Sequence, residues 1–401
     1  MKSQINFCCS KFDHGYKYIR LYSVSLLYFL QLYHMPEKEI KEHQLFISSL
    51  PLLFKLWQDN KKTISNKKML FKIFFFTVIS APFRWLQKIV FQRKINAVNL
   101  NEKAPVFVIG HWRSGTTHLH YLLAQDKRFS FLEAFQAFFF RTALVSPTFM
   151  KPLLNKLMPK TRPQDNVEIN ASAPTEEEHS LTNLTHRSGM QSFFFPKNIS
   201  YFNEYNVFET TQNNINKWKM VYDKMLKNIS YYNGKERRLL LKNPHNTGRI
   251  KVLKEMYPDA KFIFIHRNPY EVFNSTKHLY NTTIKSQFLQ EFNENEINER
   301  VIHCYEKTML AYLEQKQGID ENHLIEISYE ELSNNPMECM DQIYTKLKLG
   351  EFSDVNDKFE MYLEKQKSYK KNTFKPIDSN IKKQLNKRWK FAFEAWNYPT
   401  N

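Results

Sequence analysis

The residues richest in chemistry lie in one run, Pro105-Val-Phe-Val-Ile-Gly110-His-Trp-Arg-Ser-Gly115-Thr-Thr-His-Leu-His120. The apolar Val106–Ile109 reads as a strand, Gly110 to Gly115 as a loop, and Thr116 to about Gln125 as a helix. Such a loop cradles an anion. Its glycines let the backbone close around the ligand. The helix start offers unpaired N–H groups and the positive end of its dipole. Arg113, Ser114, Thr116 and Thr117 add side-chain donors. The ligand implied is a phosphate or a close analogue. A nucleoside-triphosphate loop carries lysine after its second glycine. Here Thr116 holds that place and the cation, Arg113, lies inside the loop, which argues against an ordinary ATPase.

A second run, Lys261-Phe-Ile-Phe-Ile-His-Arg267-Asn-Pro-Tyr-Glu-Val-Phe-Asn-Ser275, repeats the strand–turn–helix plan. Arg267 closes the strand, where its planar fork suits a phosphate. Asn268 is the expected N-cap and Pro269 the first helical residue, and Ser275 falls two turns into the helix. Lys242 follows the apolar Leu239–Leu241 and brings a further cation to a strand end. For a proton carrier the chain offers Glu133, after Phe129–Leu132 and 20 residues beyond Arg113, and the cluster Glu176-Glu177-Glu178 with His179. Adjacent carboxylates repel, which raises one pKa toward a value useful in proton transfer; the acidic first turn of a helix would need the same residues. His111, His118 and His245 flank these positions.

These residues need strands to carry them. Val106–Ile109, Leu239–Leu241, Phe262–Ile265 and Leu324–Ile327 are short apolar runs, read as buried parallel strands, each followed by a turn and a helical pattern. Tyr329 stands just past the fourth. Strands alternating with helices predict an open α/β sheet covered on both faces, with ligands bound beyond the carboxyl ends of the strands.

Of the 401 residues, 42% are hydrophobic and 15% aromatic, which excludes intrinsic disorder as the overall state. Four cysteines exclude a dense disulfide framework, and their spacing predicts no structural metal. The formal charge of +18 is uneven: residues 1–104 hold 17 Lys and Arg against 6 Asp and Glu, and residues 361–390 hold 10 against 2. The middle is nearly neutral, so nucleic acid is not the expected partner; the basic ends fit an anionic membrane surface, an anionic ligand, or solubility alone. The apolar runs Leu21–Tyr33 and Ile73–Phe83 fall short of the roughly 18–20 residues of a spanning helix. Their basic flanks fit helices that lie on a membrane or pack on the main domain. Residues 1–100 are therefore read as a helical extension with peripheral membrane contact, and residues 101–401 as the main domain. A cytoplasmic setting is expected, with an N-terminal membrane anchor as the alternative.

The chain resembles the sulfotransferases that use 3′-phosphoadenosine 5′-phosphosulfate (PAPS). Trp112-Arg113-Ser114-Gly115-Thr116-Thr117 matches their Pro-Arg-Ser-Gly-Thr-Thr loop with Trp for Pro, and Arg267 with Ser275 matches their Arg…Ser pair. The likeness extends to the branch with a Gly-His-Trp-Arg-Ser-Gly-Thr-Thr-His-Leu-His loop. It includes Arg162-Pro-Gln-Asp-Asn-Val167, Pro174-Thr-Glu-Glu-Glu178, Leu241-Lys242-Asn-Pro-His245 and Ser328-Tyr-Glu-Glu-Leu332, and covers roughly residues 95–395. The resemblance implies a three-layer α/β sandwich with a central parallel sheet and a P-loop-like strand–loop–helix, as in nucleotide kinases. It implies transfer of a sulfuryl group from PAPS to a hydroxyl or amine of a glycan, lipid or small molecule, without a metal. Arg113, Ser114, Gly115, Thr116 and Thr117 would bind the 5′-phosphosulfate, Arg267 and Ser275 the 3′-phosphate, and Tyr329 would lie near the adenine. Lys242 would assist the leaving group. Glu133 resembles the base of one group of members, with Glu178 and Glu176 as rivals. The stretch Lys365–Lys371 stands where members fold a basic loop over the cofactor, but their glycine pattern is replaced by Asn372-Thr-Phe374-Lys375. Residues 135–149 and 193–195 are the expected acceptor-pocket segments. A kinase with a related loop is the main alternative, disfavoured by the missing loop lysine and by the Arg267/Ser275 pair; a non-catalytic protein of the same fold is disfavoured by the intact loop.

Overall fold

The computed structural model describes residues 43–400 except Pro163, Asn166 and residues 368–371. Five parallel strands form one sheet: β1 (Val106–Ile109), β2 (Phe129–Ser130), β3 (Arg238–Lys242), β4 (Lys261–His266) and β5 (Leu324–Ser328), in the order β2-β3-β1-β4-β5. The four expected strands are present in place. The fifth, β2, is two residues long, too short to show any period.

Side chains leave each strand alternately to two cores. Phe107, Ile109, Leu239, Leu241, Phe262 and Phe264 enter one, covered by helices Gln212–Tyr232 and Glu294–Gln315. Val106, Val108, Leu240, Ile263 and Ile265 enter the other, covered by helices Thr116–Leu123 and Pro336–Leu347. Burial on both faces explains why these runs are continuously apolar, and each such side chain contributes about 1.5–3 kcal/mol. The result is the three-layer sandwich the sequence predicts.

Ahead of β1 come helices Leu50–Asn60, Lys67–Ile79 and Ala81–Asn96. Leu45, Leu53, Leu56 and Ile73 share a third core with Met190, Phe194 and Phe202, so part of this extension is packed onto the main domain. Among the described residues no single helix is long and apolar enough to cross a membrane; Lys67–Ile79 and Ala81–Asn96, bent by 45°, pass that test only as a pair. The run Leu21–Tyr33 lies outside the described residues. The central strand β1 is flanked by β3 and β4. The loop after β1, Lys242 at the end of β3 and Arg267 after β4 therefore converge on one carboxyl-terminal edge.

Candidate active site

The loop after β1 is held open by backbone geometry. Gly110 has φ 144°, and a Cβ there would stand 2.3 Å from the Ile265 carbonyl oxygen. Gly115 has φ 99°, and its Cβ would meet the Tyr329 ring at 2.4 Å. Gly115 is also the N-cap of helix Thr116–Leu123, which has no capping side-chain bond, so its first N–H groups remain for a ligand. Arg113 adopts φ 71°, a left-handed conformation that costs a non-glycine residue about 1–3 kcal/mol. Its side chain is fixed on both sides: Nε donates to Ser275 Oγ at 2.9 Å and Nη1 to Asp165 Oδ2 at 2.6 Å. Asp165 also pairs with Arg162. Burial alone would raise the Asp165 carboxyl, but Arg162 and then Arg113 hold it below its usual range.

The second motif reaches the same point. Asn268 caps helix Pro269–Thr282, accepting from the Tyr270 N–H, and Pro269 is the first helical residue. Arg267 lies over the Tyr329 ring, 4.2 Å from guanidinium carbon to ring centroid, and pairs with Glu271. Its Nη1 donates to the Arg113 carbonyl at 3.4 Å.

Two cavities share this loop. One, of about 290 Å³, is lined by Arg113, Gly115, Thr116, Thr117, Arg267 and Tyr329, with Tyr121, Tyr362 and Lys367 farther along. The other, of about 340 Å³, is lined by Trp112, Glu176, His179, Lys242, Phe193 and Phe194 among others. Arg113, Thr116, Thr117 and Arg162 border both. At this junction the buried Lys242 donates to Glu176 Oε1 at 2.6 Å and to Thr117 Oγ1 at 3.5 Å. Burial lowers the Lys242 pKa, against the pull of Glu176. Burial would raise Glu176, but Lys242 and then His179 hold it below the ordinary carboxylate value. Burial lowers His179 as well.

The carboxylates separate by packing. Glu133 sits at the N-cap of helix Ala134–Phe138, pairs with Lys151 at 2.7 Å and lines neither cavity. Glu178 is fully buried. It accepts from both Arg249 terminal nitrogens, from Asn243 and from Ser188, and lines neither cavity. Burial would raise its pKa, yet Arg249 first among its partners brings it to about 2. Glu177 accepts from Tyr222 and Asn246 while its Oε2 has no partner among the described residues; burial pushes it up to about 7. Of these four glutamates only Glu176 reaches the cleft.

The other expected residues divide between the cavities and the packed interior. Ser114 is buried in the turn, its N–H bonded to the His111 carbonyl, and Ser275 is sealed against Arg113; neither lines the 290 Å³ cavity. His118 lines that cavity, whereas His111 and His245 are buried around Trp112. Burial lowers them to about 3 and about 4. Phe138, Phe193 and Phe194 line the second cavity, while Phe135 and Phe195 enter separate cores. Lys370 and Lys371 lie outside the described residues. Sequence reasoning missed Arg162 and Asp165 as site members. Their signal was a basic and an acidic residue three apart in a segment already noted for its resemblance. Gln44, from the extension, also borders the second cavity and carried no signal at all.

The fold and the paired cavities define a phosphate-loop α/β protein of the nucleotide-kinase-like class. The sequence profile described as "Sulfotransferase family" matches residues 105–354, well over half of the chain. The chain belongs to the sulfotransferase family. It is 29% identical over 301 residues to the omega-hydroxy-beta-dihydromenaquinone-9 sulfotransferase Stf3 of Mycobacterium bovis, covering 75% of this chain and 76% of that one. Its counterpart in Mycobacterium tuberculosis gives the same figures. Among solved structures, sulfotransferase STF9 from Mycobacterium avium has a similar fold, with a TM-score of 0.63 and 15% identity over 87% of this chain and 96% of that one. Sulfotransferase STF1 from M. tuberculosis H37Rv has a TM-score of 0.60 and 16% identity, over 85% and 90%.

Proposed function

We propose that the protein transfers a sulfuryl group from PAPS to a hydroxyl of an apolar, lipid-like acceptor. The observation that carries this reading is the junction of the two cavities at Arg113, Thr116 and Thr117, with the Lys242–Glu176 pair lining the second cavity beside Thr117. The 290 Å³ cavity suits the donor: it offers Arg113, Arg267 and Lys367, an uncapped helix start, and the rings of Tyr329, Tyr121 and Tyr362 for a base. Bound PAPS would supply a sulfuryl group whose bond to the 5′-phosphate breaks as the bond to the acceptor oxygen forms.

Arg113, Thr116 and Thr117 bind the 5′ end and neutralise charge that grows on the leaving phosphate. Arg267 binds the 3′-phosphate; Ser275 acts by holding Arg113. Lys242 stands beside Thr117 and stabilises the leaving oxygen. Glu176 takes the acceptor proton, because it alone among the weighed carboxylates borders the acceptor cavity and its lowered pKa keeps it ionised. An apolar acceptor is supported by the lining of Trp112, Phe138, Met190, Phe193 and Ile284, and by the lipid named as the substrate of the relative Stf3. The reading includes peripheral membrane contact through residues 1–100, supported by exposed Phe71, Trp85 and Ile89 on lysine-bearing helices.

Thermal shift tests the donor. 3′,5′-ADP is expected to raise the melting temperature while ATP with Mg²⁺ does not. Stabilisation by ATP–Mg²⁺ alone would move the protein to the kinase reading. Radiolabelled PAPS with fractionated lipid extract then identifies the acceptor.

A further inference from the structure

A groove of about 760 Å³ runs between helix Ala81–Asn96 and the core helix Gln212–Tyr232, away from the cleft. Arg84, Lys88, Arg141 and Lys224 line it, and among the described residues no Asp or Glu does. Arg84 is only 8% exposed and hydrogen-bonds the Thr77 carbonyl and Ser80 Oγ, while Arg141 reaches the Asn183 carbonyl at 3.2 Å. Among the described residues none of the four cations forms an ion pair. Burial, and then Arg84, brings Arg141 down to about 10; burial, then Lys88 and Arg141, lowers Lys224. The four charges therefore crowd one another with no acid opposite among the described residues. The walls between them are apolar, from Ile95, Phe140, Leu184 and Val221. At the rim Trp85 is 72% and Met220 73% exposed, and Ile89, one turn beyond Trp85, is 79% exposed.

We propose that this groove is a binding site for the phosphate of an anionic phospholipid at a membrane surface, held among Arg84, Lys88, Arg141 and Lys224, with Trp85, Ile89 and Met220 set against the lipid's apolar part. Charge complementarity asks for an anion. The exposed apolar rim selects a lipid over free phosphate, which would gain nothing from it. The site rests on the reading of the N-terminal helices as a membrane contact, and not on the sulfuryl-transfer reading.

Co-sedimentation of the full chain with vesicles tests it without donor or acceptor, so its outcome is separable from that of the transfer assay. Wild type is expected to bind vesicles containing one part phosphatidylglycerol in three well, and phosphatidylcholine vesicles weakly. Each cation near an anionic surface is worth about fivefold in affinity, so Lys88→Glu/Lys224→Glu is expected to lose about 25-fold or more on the same scale. Lys383→Glu/Lys387→Glu, with the same charge change in the exposed part of the other basic stretch, is expected to lose far less. Lys88→Gln/Lys224→Gln serves if the reversed charges disturb the melting transition. Equal losses from the two glutamate variants, or equal binding of both vesicle types, would overturn the proposal, the latter being the result if another segment of the chain filled the groove. So would inorganic phosphate, at about millimolar levels, releasing the protein from the vesicles.

Discussion

Two clusters of cations, built on opposite principles, occupy this molecule. In the cleft every placed cation has an acid: Arg113 and Arg162 share Asp165, Lys242 holds Glu176, and Arg267 holds Glu271. In the N-terminal groove Arg84, Lys88, Arg141 and Lys224 have none among the described residues. A paired cation is fixed in direction and keeps only part of its charge for a ligand, which suits a group that must meet one oxygen at one place. An unpaired set keeps its full attraction and little direction, which suits a surface. Pairing thus separates positioning for chemistry from capture by charge, and it can be broken in steps.

The most severe break lies just behind the cleft, in the fully buried Glu178–Arg249 pair. Glu178→Ala leaves an uncompensated buried guanidinium and is expected to cost about 3–5 kcal/mol of folding stability in urea titrations. The sign of its pH dependence follows from the lowered pKa. The Glu178 contribution is complete above its ordinary pKa of 4.5 and is lost as pH falls toward about 2. The variant should therefore show a shallower acid transition in that window. Equal stability of variant and wild type would deny the pair its structural role.

Lys242→Ala comes next, and should cost activity rather than fold. Its partner Glu176 lines an open cavity and can be solvated there. Loss of a charge aimed at the leaving oxygen is expected to lower kcat by about 10²–10³, with the melting temperature little changed. A kcat within twofold of wild type would make Lys242 merely the holder of Glu176.

Glu176→Gln separates the two members of that pair, since the amide oxygen can still accept from Lys242. A loss of about 10²-fold or more in kcat is expected if Glu176 is the base. A base works deprotonated, and Glu176 is held below the carboxylate value of 4.5. Wild-type kcat should fall only when pH drops through that lowered value, and the Gln variant should lack this limb. Persistence of the limb would transfer the role to His179, which lines the same cavity.

How legible this was depended on distance along the chain. The loop Gly110–Thr117, the Asn268 cap and the four long strands were readable because each is specified by residues within a few positions: positive φ at a glycine, a side-chain cap, an apolar run. The choice among glutamates was not. Glu176, Glu177 and Glu178 differ only in direction from one turn of chain, and that direction is set by Tyr222, Asn246 and Arg249, as many as 71 residues away. Glu133 had the right spacing from Arg113, yet the short helix that follows it and Lys151 turn it away from the cleft. Ser275 was read as a phosphate ligand from its spacing to Arg267, and the fold also makes its hydroxyl the acceptor for Arg113 Nε, a contact the spacing did not signal. Motif spacing identifies which residues meet, whereas which atom faces the ligand is decided by packing between distant segments.

The gentlest test turns the groove into a copy of the cleft by supplying the missing acid. Met220 is exposed on the helix that carries Lys224, one turn before it, and both line the groove. Met220→Glu places a carboxylate four residues N-terminal to the lysine, the better orientation for a helical pair. If the groove cations repel one another without compensation, this variant should gain about 0.3–0.5 kcal/mol in stability while its affinity for phosphatidylglycerol vesicles falls. Charge satisfied within the protein is no longer offered to the membrane, and loss of the Met220 rim contact adds to the fall in affinity. A variant that is no more stable, or that binds the anionic vesicles as well as wild type, would mean that solvent already screens the four cations. The contrast between paired and unpaired clusters would then describe their geometry without describing their energetics.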